Sequence, residues 1–128
     1  MPGSQQFNSE TTIDKPSKRS SSRERVYMLN AVWFKKDGGE TRYREYMRSV
    51  APLIAKVGGR KLKSFVPGRE LIGEFDADLV FFVEYPNWQA FKDVANSAEY
   101  HKFAYIREEA LEKQLLIRCN RPSRSFWS

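Results

Sequence analysis

The chain is poor in the side chains that most often carry chemistry. Among its 128 residues it has one cysteine, Cys119, and one histidine, His101. A lone cysteine excludes an intrachain disulfide and indicates a reducing compartment, and no Cys/His set has the spacing of a zinc site. The longest apolar run, LVFFV at 79–83, is far shorter than the roughly 20 residues of a membrane span. Because the N-terminus shows no signal pattern, we expect a cytoplasmic protein with no membrane span, metal or bound cofactor.

Positive charge is concentrated near the two ends of the sequence. Of the net charge of +6, residues 1–25 contribute +2 and residues 118–128 contribute +3. Residues 26–117 have fourteen basic and thirteen acidic side chains, so they contribute only +1. A nearly neutral central segment lacks the concentrated positive field typical of phosphate binding, which argues against a nucleic-acid partner.

Composition divides the chain into three segments. Residues 1–25 are rich in Ser, Gln, Lys and Arg and have few large apolar side chains, which predicts a disordered tail. Residues 26–119 hold most of the apolar side chains and are long enough for one domain. Residues 120–128 are interrupted by proline and serine, and we expect a loose tail there.

Apolar periodicity in the central segment predicts strands and helices in alternation. Strands are expected at 25–34, 60–66, 78–85 and 114–119, a long helix at 40–57, and shorter helical stretches after Asn87 and Ser97. The order strand, helix, strand, strand, helix, strand predicts an α+β, ferredoxin-like split βαβ sandwich. In this fold an antiparallel four-stranded sheet carries its helices on one face.

The first and third predicted strands are apolar on both faces. Val26, Met28 and Val32 alternate with Leu29 and Trp33, so neither face of the first strand is polar. A sheet covered on one side only would leave the other apolar face in water. A second copy of the chain would cover that face, and the pattern therefore predicts a homodimer formed through the sheet.

Three segments resemble a known family. They are YREYMRSVAPLIAKVGGR at 43–60, VFFVEYPNWQAF at 80–91 and NSAEYHKF at 96–103. Together they are similar to the bacterial family called domain of unknown function 1330, in the dimeric α/β barrel superfamily. The resemblance covers about residues 26–119 and implies a ferredoxin-like subunit that pairs through its sheet. The superfamily includes cofactor-independent monooxygenases, isomerases, haem-binding enzymes and ligand sensors, and this family has no settled activity.

Two residues of the last predicted helix are expected in opposite environments, one exposed and one buried. At 100° per residue, His101 falls on the polar flank, so a solvated side chain is favoured over a catalytic base or haem ligand. Arg107 falls within the apolar stripe, where a guanidinium needs acceptors. A structural ion pair with Glu84, a contact to a backbone carbonyl and an anionic ligand all remain open for Arg107.

Four further side chains are candidates for a ligand site. Asn30 and Glu84 are each the one strongly polar residue in an apolar strand, and alternation alone leaves their face of the sheet open. A desolvated Glu84 would suit a general acid or base, so Glu84 and Arg107 are the catalytic candidates. Tyr43 and Tyr46 lie on the inward face of the long helix, either as core or as ligand donors.

RNA-recognition domains use the same order of strands and helices. Their third strand carries a basic residue, glycines and stacking aromatics, whereas DLVFFVEY at 78–85 matches only the second half of that pattern. We therefore expect a homodimer that binds a small organic ligand between sheet and helices, at Asn30, Tyr43, Tyr46, Glu84 and Arg107. Two alternatives remain open for this homodimer. It either catalyses a reaction without a cofactor or serves as a non-catalytic interaction or sensing dimer.

Overall fold

The structure, a computed structural model, describes residues 23–127. The predicted disorder of residues 1–25 therefore lies almost wholly outside the described residues. The elements in chain order are β1 (Val26–Phe34), α1 (Gly39–Lys56), β2 (Arg60–Phe65), β3 (Leu79–Tyr85), α2 (Trp88–Ala95), α3 (Ala98–Ala110) and β4 (Leu111–Cys119). Residues 120–127 contain neither helix nor strand.

The described strands form one antiparallel sheet in the order β2-β3-β1-β4. The three helices α1, α2 and α3 contribute to a single buried core with one face of that sheet. The predicted ferredoxin-like, α+β architecture is confirmed. The main difference is β4, which begins directly after α3 at Leu111, whereas its predicted start was residue 114.

Local sequence signals fix the helix ends. The Asn87 side chain accepts a hydrogen bond from the Ala90 amide at 2.8 Å, and Ser97 Oγ accepts one from the Tyr100 amide at 3.1 Å. At the end of α1, Gly58 adopts φ +83°, a left-handed conformation that glycine adopts without strain. Within residues 23–127 no helix combines the length and the apolar composition needed to cross a membrane.

Strand register separates the sheet into two faces. Met28 lies opposite Val83, and both are buried against the helices. Their neighbours Leu29 and Phe82 also lie opposite each other, and alternation places them on the face away from the helices. We call these the helix face and the open face of the sheet.

Aromatic and aliphatic side chains fill the layer between the helix face and the helices. Among the fully buried side chains are Val26, Val32 and Phe81, and burying a side chain of this size contributes about 1.5–3 kcal/mol. Within this layer three polar residues are also buried, namely Asn30, Arg107 and Gln114. Polar groups in such a place are stable only with hydrogen-bond partners, which makes this part of the core the natural place to look for a site.

The open face keeps large apolar side chains accessible. Leu115 and Ile117 of β4 are 39% and 44% exposed, and Phe65 of β2 is 65% exposed. One end of the face is covered by the segment that follows β2, where Asp76 Oδ1 accepts a hydrogen bond from Trp33 Nε1 at 2.8 Å. The sheet therefore has an uncovered apolar surface on the side opposite the polar cluster.

Candidate functional site

Arg107 is buried in the core, as its position in the apolar stripe predicts. Its side chain lies on α3 and the residue is only 3% exposed. Its Nη1 donates a hydrogen bond to Gln114 Oε1 at 2.8 Å, a short, charge-assisted contact. The guanidinium places a positive charge inside the domain, and its planar set of N–H donors suits contacts with amide or carboxylate oxygens.

Hydrogen bonds continue from Arg107 across the helix face of the sheet. Gln114 Nε2 donates to Asn30 Oδ1 at 3.1 Å, and Asn30 Nδ2 donates to the Met28 carbonyl at 3.1 Å. The chain of contacts links α3 to β4 and then to β1. Since each amide is held by partners on both its oxygen and its nitrogen, the network fixes the direction in which Gln114 and Asn30 point.

Tyrosines from two helices lie beside this network. Tyr43 and Tyr46 of α1 stack with ring centroids 5.5 Å apart, and the hydroxyls of Tyr46 and Tyr100 are 2.8 Å apart. Both α1 tyrosines are buried, as their inward position on the helix predicts. Their rings complete the core, and their hydroxyls supply polar atoms in the same region as Arg107.

Burial and the nearby cation change the pKa of Tyr43 and Tyr46 in opposite directions. Burial raises the pKa of both Tyr43 and Tyr46, because a phenolate would lose its hydration. The charge of Arg107 lowers the pKa of each hydroxyl, but it does not outweigh the burial. At neutral pH the hydroxyls are therefore protonated and can donate hydrogen bonds.

A small cavity of about 50 Å³ lies among these side chains. It has room for about three or four water molecules, since each needs at least about 10–15 Å³. Arg107 is the one charged residue among the described residues that line it, and no lining residue is a carboxylate, histidine, cysteine or lysine. The remaining wall is mostly apolar, and its polar members are Asn30, Tyr43, Tyr46, Tyr85, Tyr100 and Gln114.

Three polar residues of this cluster, Gln114, Tyr85 and Tyr100, were not predicted from the sequence. Gln114 lies at the predicted start of the last strand, on the inward row that also contains Leu116 and Arg118. Tyr100 lies within the predicted helical stretch after Ser97, and Tyr85 ends the predicted third strand. A buried arginine needs acceptors, so a search for an amide or carboxylate at neighbouring inward positions would have found Gln114.

Glu84 does not belong to the cavity, which corrects its grouping with Asn30 and Arg107. It lies opposite Tyr27 in the β1–β3 register and therefore on the open face. Its carboxylate accepts a hydrogen bond from Arg60 Nε at 2.8 Å, and Arg25 Nη1 is 3.6 Å away. The hydrogen bond from Arg60 lowers the pKa of Glu84 despite the opposing effect of burial. This environment holds Glu84 ionised, opposite to the raised pKa expected of a general acid.

The remaining chemistry-bearing residues lie outside the cavity. His101 is exposed on α3, where its ring is next to that of Tyr100, as the helical wheel predicts. Cys119 ends β4 and is half-buried, and burial raises the pKa of its thiol. In the part of the chain from 23 to 127, no three His, Cys, Asp or Glu side chains are grouped closely enough to hold a metal ion.

The fold and the buried polar cluster define a ferredoxin-like domain with a small, partly polar cavity in its core. Sequence comparison assigns the family. The family model called "Domain of unknown function (DUF1330)" matches residues 26–118. The chain belongs to this family, which confirms the resemblance seen in the sequence. None of the curated proteins matches the chain significantly.

Solved structures support the same fold. A protein of unknown function from Rhodopseudomonas palustris is 26% identical, with a TM-score of 0.72 over 80% of this chain and 85% of its own. A protein from Arabidopsis thaliana is 18% identical, with a TM-score of 0.62 over 79% of this chain and 99% of its own. A protein from Jannaschia sp. CCS1, described as a dimeric ferredoxin-like protein of unknown function, is 13% identical with a TM-score of 0.60, over 76% and 99%. The last two likenesses bear on the fold alone.

Proposed function

We propose that the protein is a homodimer that binds a small organic acid in the cavity between sheet and helices, with Arg107 as the residue that contacts the acid group. The observation that supports this most is the burial of Arg107 in the wall of a cavity whose lining, among residues 23–127, includes no acidic side chain. A charge in such a wall favours a negatively charged guest. Asn30, Gln114, Tyr43 and Tyr46 would orient that guest.

Size limits what can enter. A cavity of about 50 Å³ accepts a carboxylate or another small polar group, but not a whole drug-sized molecule. The acid group of the ligand would therefore reach Arg107 while the rest of the molecule extends toward the surface. Displacement of the water that the cavity can hold would accompany binding.

The cavity suits binding better than proton transfer. Its described lining offers no histidine, carboxylate, thiol or lysine to act as a base. Any turnover would have to depend on stabilisation of a developing negative charge by Arg107 and by the protonated hydroxyls of Tyr43 and Tyr46. The absence of a base from this lining favours a ligand-binding dimer without catalysis over an enzyme that uses acid–base chemistry.

The dimer is proposed from the open face of the sheet. Leu29 and Phe82 form its centre, and Leu115 and Ile117 remain accessible at one side. A second copy related by a two-fold axis would bury this surface against itself. The dimer would also enclose Glu84 and its arginine partners, whose charges would then lie within the seam.

Native mass spectrometry of freshly purified protein, followed by calorimetric titration with acetate, hexanoate and benzoate, tests the proposal. We expect a two-chain mass and saturable binding of at least one of these acids. The Arg107→Gln variant should keep the two-chain mass and lose at least about tenfold in affinity, since a charge-assisted hydrogen bond contributes about 1.5–3 kcal/mol.

Arg118→Gln is the matched control. Arg118 lies on β4, on the helix face of the sheet. Its guanidinium carbon is 4.1 Å from the Trp88 ring centroid, and the residue does not line the cavity. Its substitution should leave the affinity for the acid within about twofold. The proposal fails if none of the three acids binds the native protein, or if the two variants lose affinity equally. A single-chain mass at micromolar concentration contradicts the homodimer alone.

A further inference from the structure

A wide groove lies beside the small cavity and shares part of its wall. The groove has a volume of about 790 Å³ and is formed by the start of α1, the end of β1 and residues of β2 and β3. Tyr43 and Met47 line both the groove and the cavity. These two side chains therefore border both spaces, and methionine is among the side chains that rearrange most readily.

The groove and the cavity together have the volume of a typical ligand pocket, whereas the cavity alone does not. Ligand pockets usually measure about 300–1,000 Å³, and the groove falls in that range whereas the cavity does not. A molecule whose acid group contacts Arg107 would pass Tyr43 and Met47 and place its other end in the groove.

The groove is positively charged. Five basic residues and two acidic residues line it, which gives a net charge of +3, and the basic residues are Lys35, Lys36, Arg44, Arg48 and Lys61. One acid, Glu40, is bound by Arg44 at 2.8 Å. The other, Asp78, accepts a hydrogen bond from the Phe34 amide at 2.8 Å.

Lys61 and Arg48 are two groove cations that lie close to residues of the cavity wall. Lys61 Nζ lies 5.4 Å from the ring centroid of Phe81, and Phe81 lines the cavity. Arg48 follows Met47, the shared wall residue, on α1. Among residues 23–127, neither Lys61 nor Arg48 forms an ion pair with an acidic side chain, so both can meet an anionic group.

We propose that the groove is the outer half of the same ligand site and that the ligand carries two acid groups, the inner one at Arg107 and the outer one at Lys61 and Arg48. This inference rests on the proposed function, which places the first acid group at Arg107. The chemical class is a small organic dianion, with an apolar middle that contacts Tyr43 and Met47.

Paired acids of equal chain length test the inference. Calorimetric titration at low salt would compare glutarate with pentanoate, adipate with hexanoate, and suberate with octanoate. We expect at least one diacid to bind the native protein about three- to fivefold more tightly than its monoacid partner, which is the effect of one partly exposed ion pair. The preferred length reports the span between the two halves of the site.

Variants assign that preference to the groove. Lys61→Gln combined with Arg48→Gln should remove the preference, so that each diacid and its monoacid partner bind this variant with similar affinity. The matched control combines Lys63→Gln on β2 with Lys56→Gln on α1, two exposed lysines that do not line the groove. This control should keep the preference.

The outcomes separate the two proposals. If monoacids bind through Arg107 but no diacid is preferred, or if the groove and control variants behave alike, the inference about the groove is overturned and the function at Arg107 stands. If no acid binds the native protein, the function at Arg107 falls and the inference falls with it. A salt-sensitive preference that disappears only in the groove variant supports the outer site.

Discussion

The hydroxyl of Tyr46 on α1 and the hydroxyl of Tyr100 on α3 are 2.8 Å apart in the core. The contact joins the two helices at the wall of the cavity, where both residues are buried. Burial raises the pKa of Tyr46, because a phenolate there would lose its hydration. The Tyr46 hydroxyl is therefore a neutral hydrogen-bonding group at the wall of the cavity that Arg107 also lines.

Tyrosine ionisation should reveal this environment. Burial raises the pKa of Tyr43, Tyr46 and Tyr85 above the ordinary value of about 10. The stabilisation linked to these groups is complete below the unfolded-state pKa and is lost as the pH rises toward the folded-state pKa. Absorbance titration of phenolate should show at least three of the six tyrosines ionising only with alkaline unfolding. Reversible ionisation of all six near pH ~10 with the fold intact would contradict the buried cluster.

Removal of the amide at Gln114 should destabilise the protein. The Gln114→Met variant keeps a side chain of similar length but leaves Arg107 and Asn30 without this partner. We expect the free energy of unfolding in urea to fall by about 1–3 kcal/mol.

Gln89→Met is the control for that experiment. Gln89 is exposed on α2 and bonds to Asp93, so its loss should change the stability by less than about 0.5 kcal/mol. Equal stability of the two variants would show that the buried network contributes nothing to the fold.

Acid stability should depend on Glu84. The hydrogen bond from Arg60 lowers its pKa, so the stabilisation is complete above the unfolded-state value of about 4.3 and is lost as the pH falls through the folded-state pKa. The Glu84→Gln variant should be less stable at neutral pH and should lose less stability on acidification below pH ~4.3. Unfolding midpoints measured from pH ~6 to pH ~2 at one fixed protein concentration check this. Parallel curves for the variant and the native protein would exclude Glu84 as a stabilising carboxylate.

Charge on the open face should separate the proposed dimer. Ile117 is 44% exposed in the single chain, so Ile117→Lys is compatible with the fold of one subunit. A two-fold axis places the new charge at the interface twice, and we expect the dissociation constant to rise about 100-fold or more. Sedimentation equilibrium measures it.

Ala51→Lys adds the same charge to an exposed position of α1, on the other side of the subunit. The dimer should persist in this control. If Ile117→Lys leaves the mass in solution unchanged at two chains, the subunits do not associate through the open face.

The sequence predicts the fold well because its signals are local. The apolar alternation of β1 and β3 and the helix starts after Asn87 and Ser97 each depend on a few neighbouring residues, and each lies where it was predicted. The burial of Arg107 also follows from the pattern of one helix.

The partners across the sheet could not be predicted in the same way. The face on which Glu84 lies depends on strand register, and its pairing with Arg60 joins residues of two different strands. The bond from Arg107 to Gln114 depends on the start of β4, which lies three residues before its predicted position. The groove depends on how the start of α1 packs against β2. The residue pattern within a single helix or strand does not predict the distance between two such elements.

The contact between an acid group and Arg107 is the claim on which the function depends most directly. Nuclear magnetic resonance can follow the Arg107 Nε–H signal while hexanoate is added to the native protein. The predicted result is a saturable shift of this signal. The signal of the Gln114 side-chain amide should also shift, and both shifts should give the same apparent affinity. An Arg107 signal that does not move while hexanoate shifts only surface lysines would contradict the account.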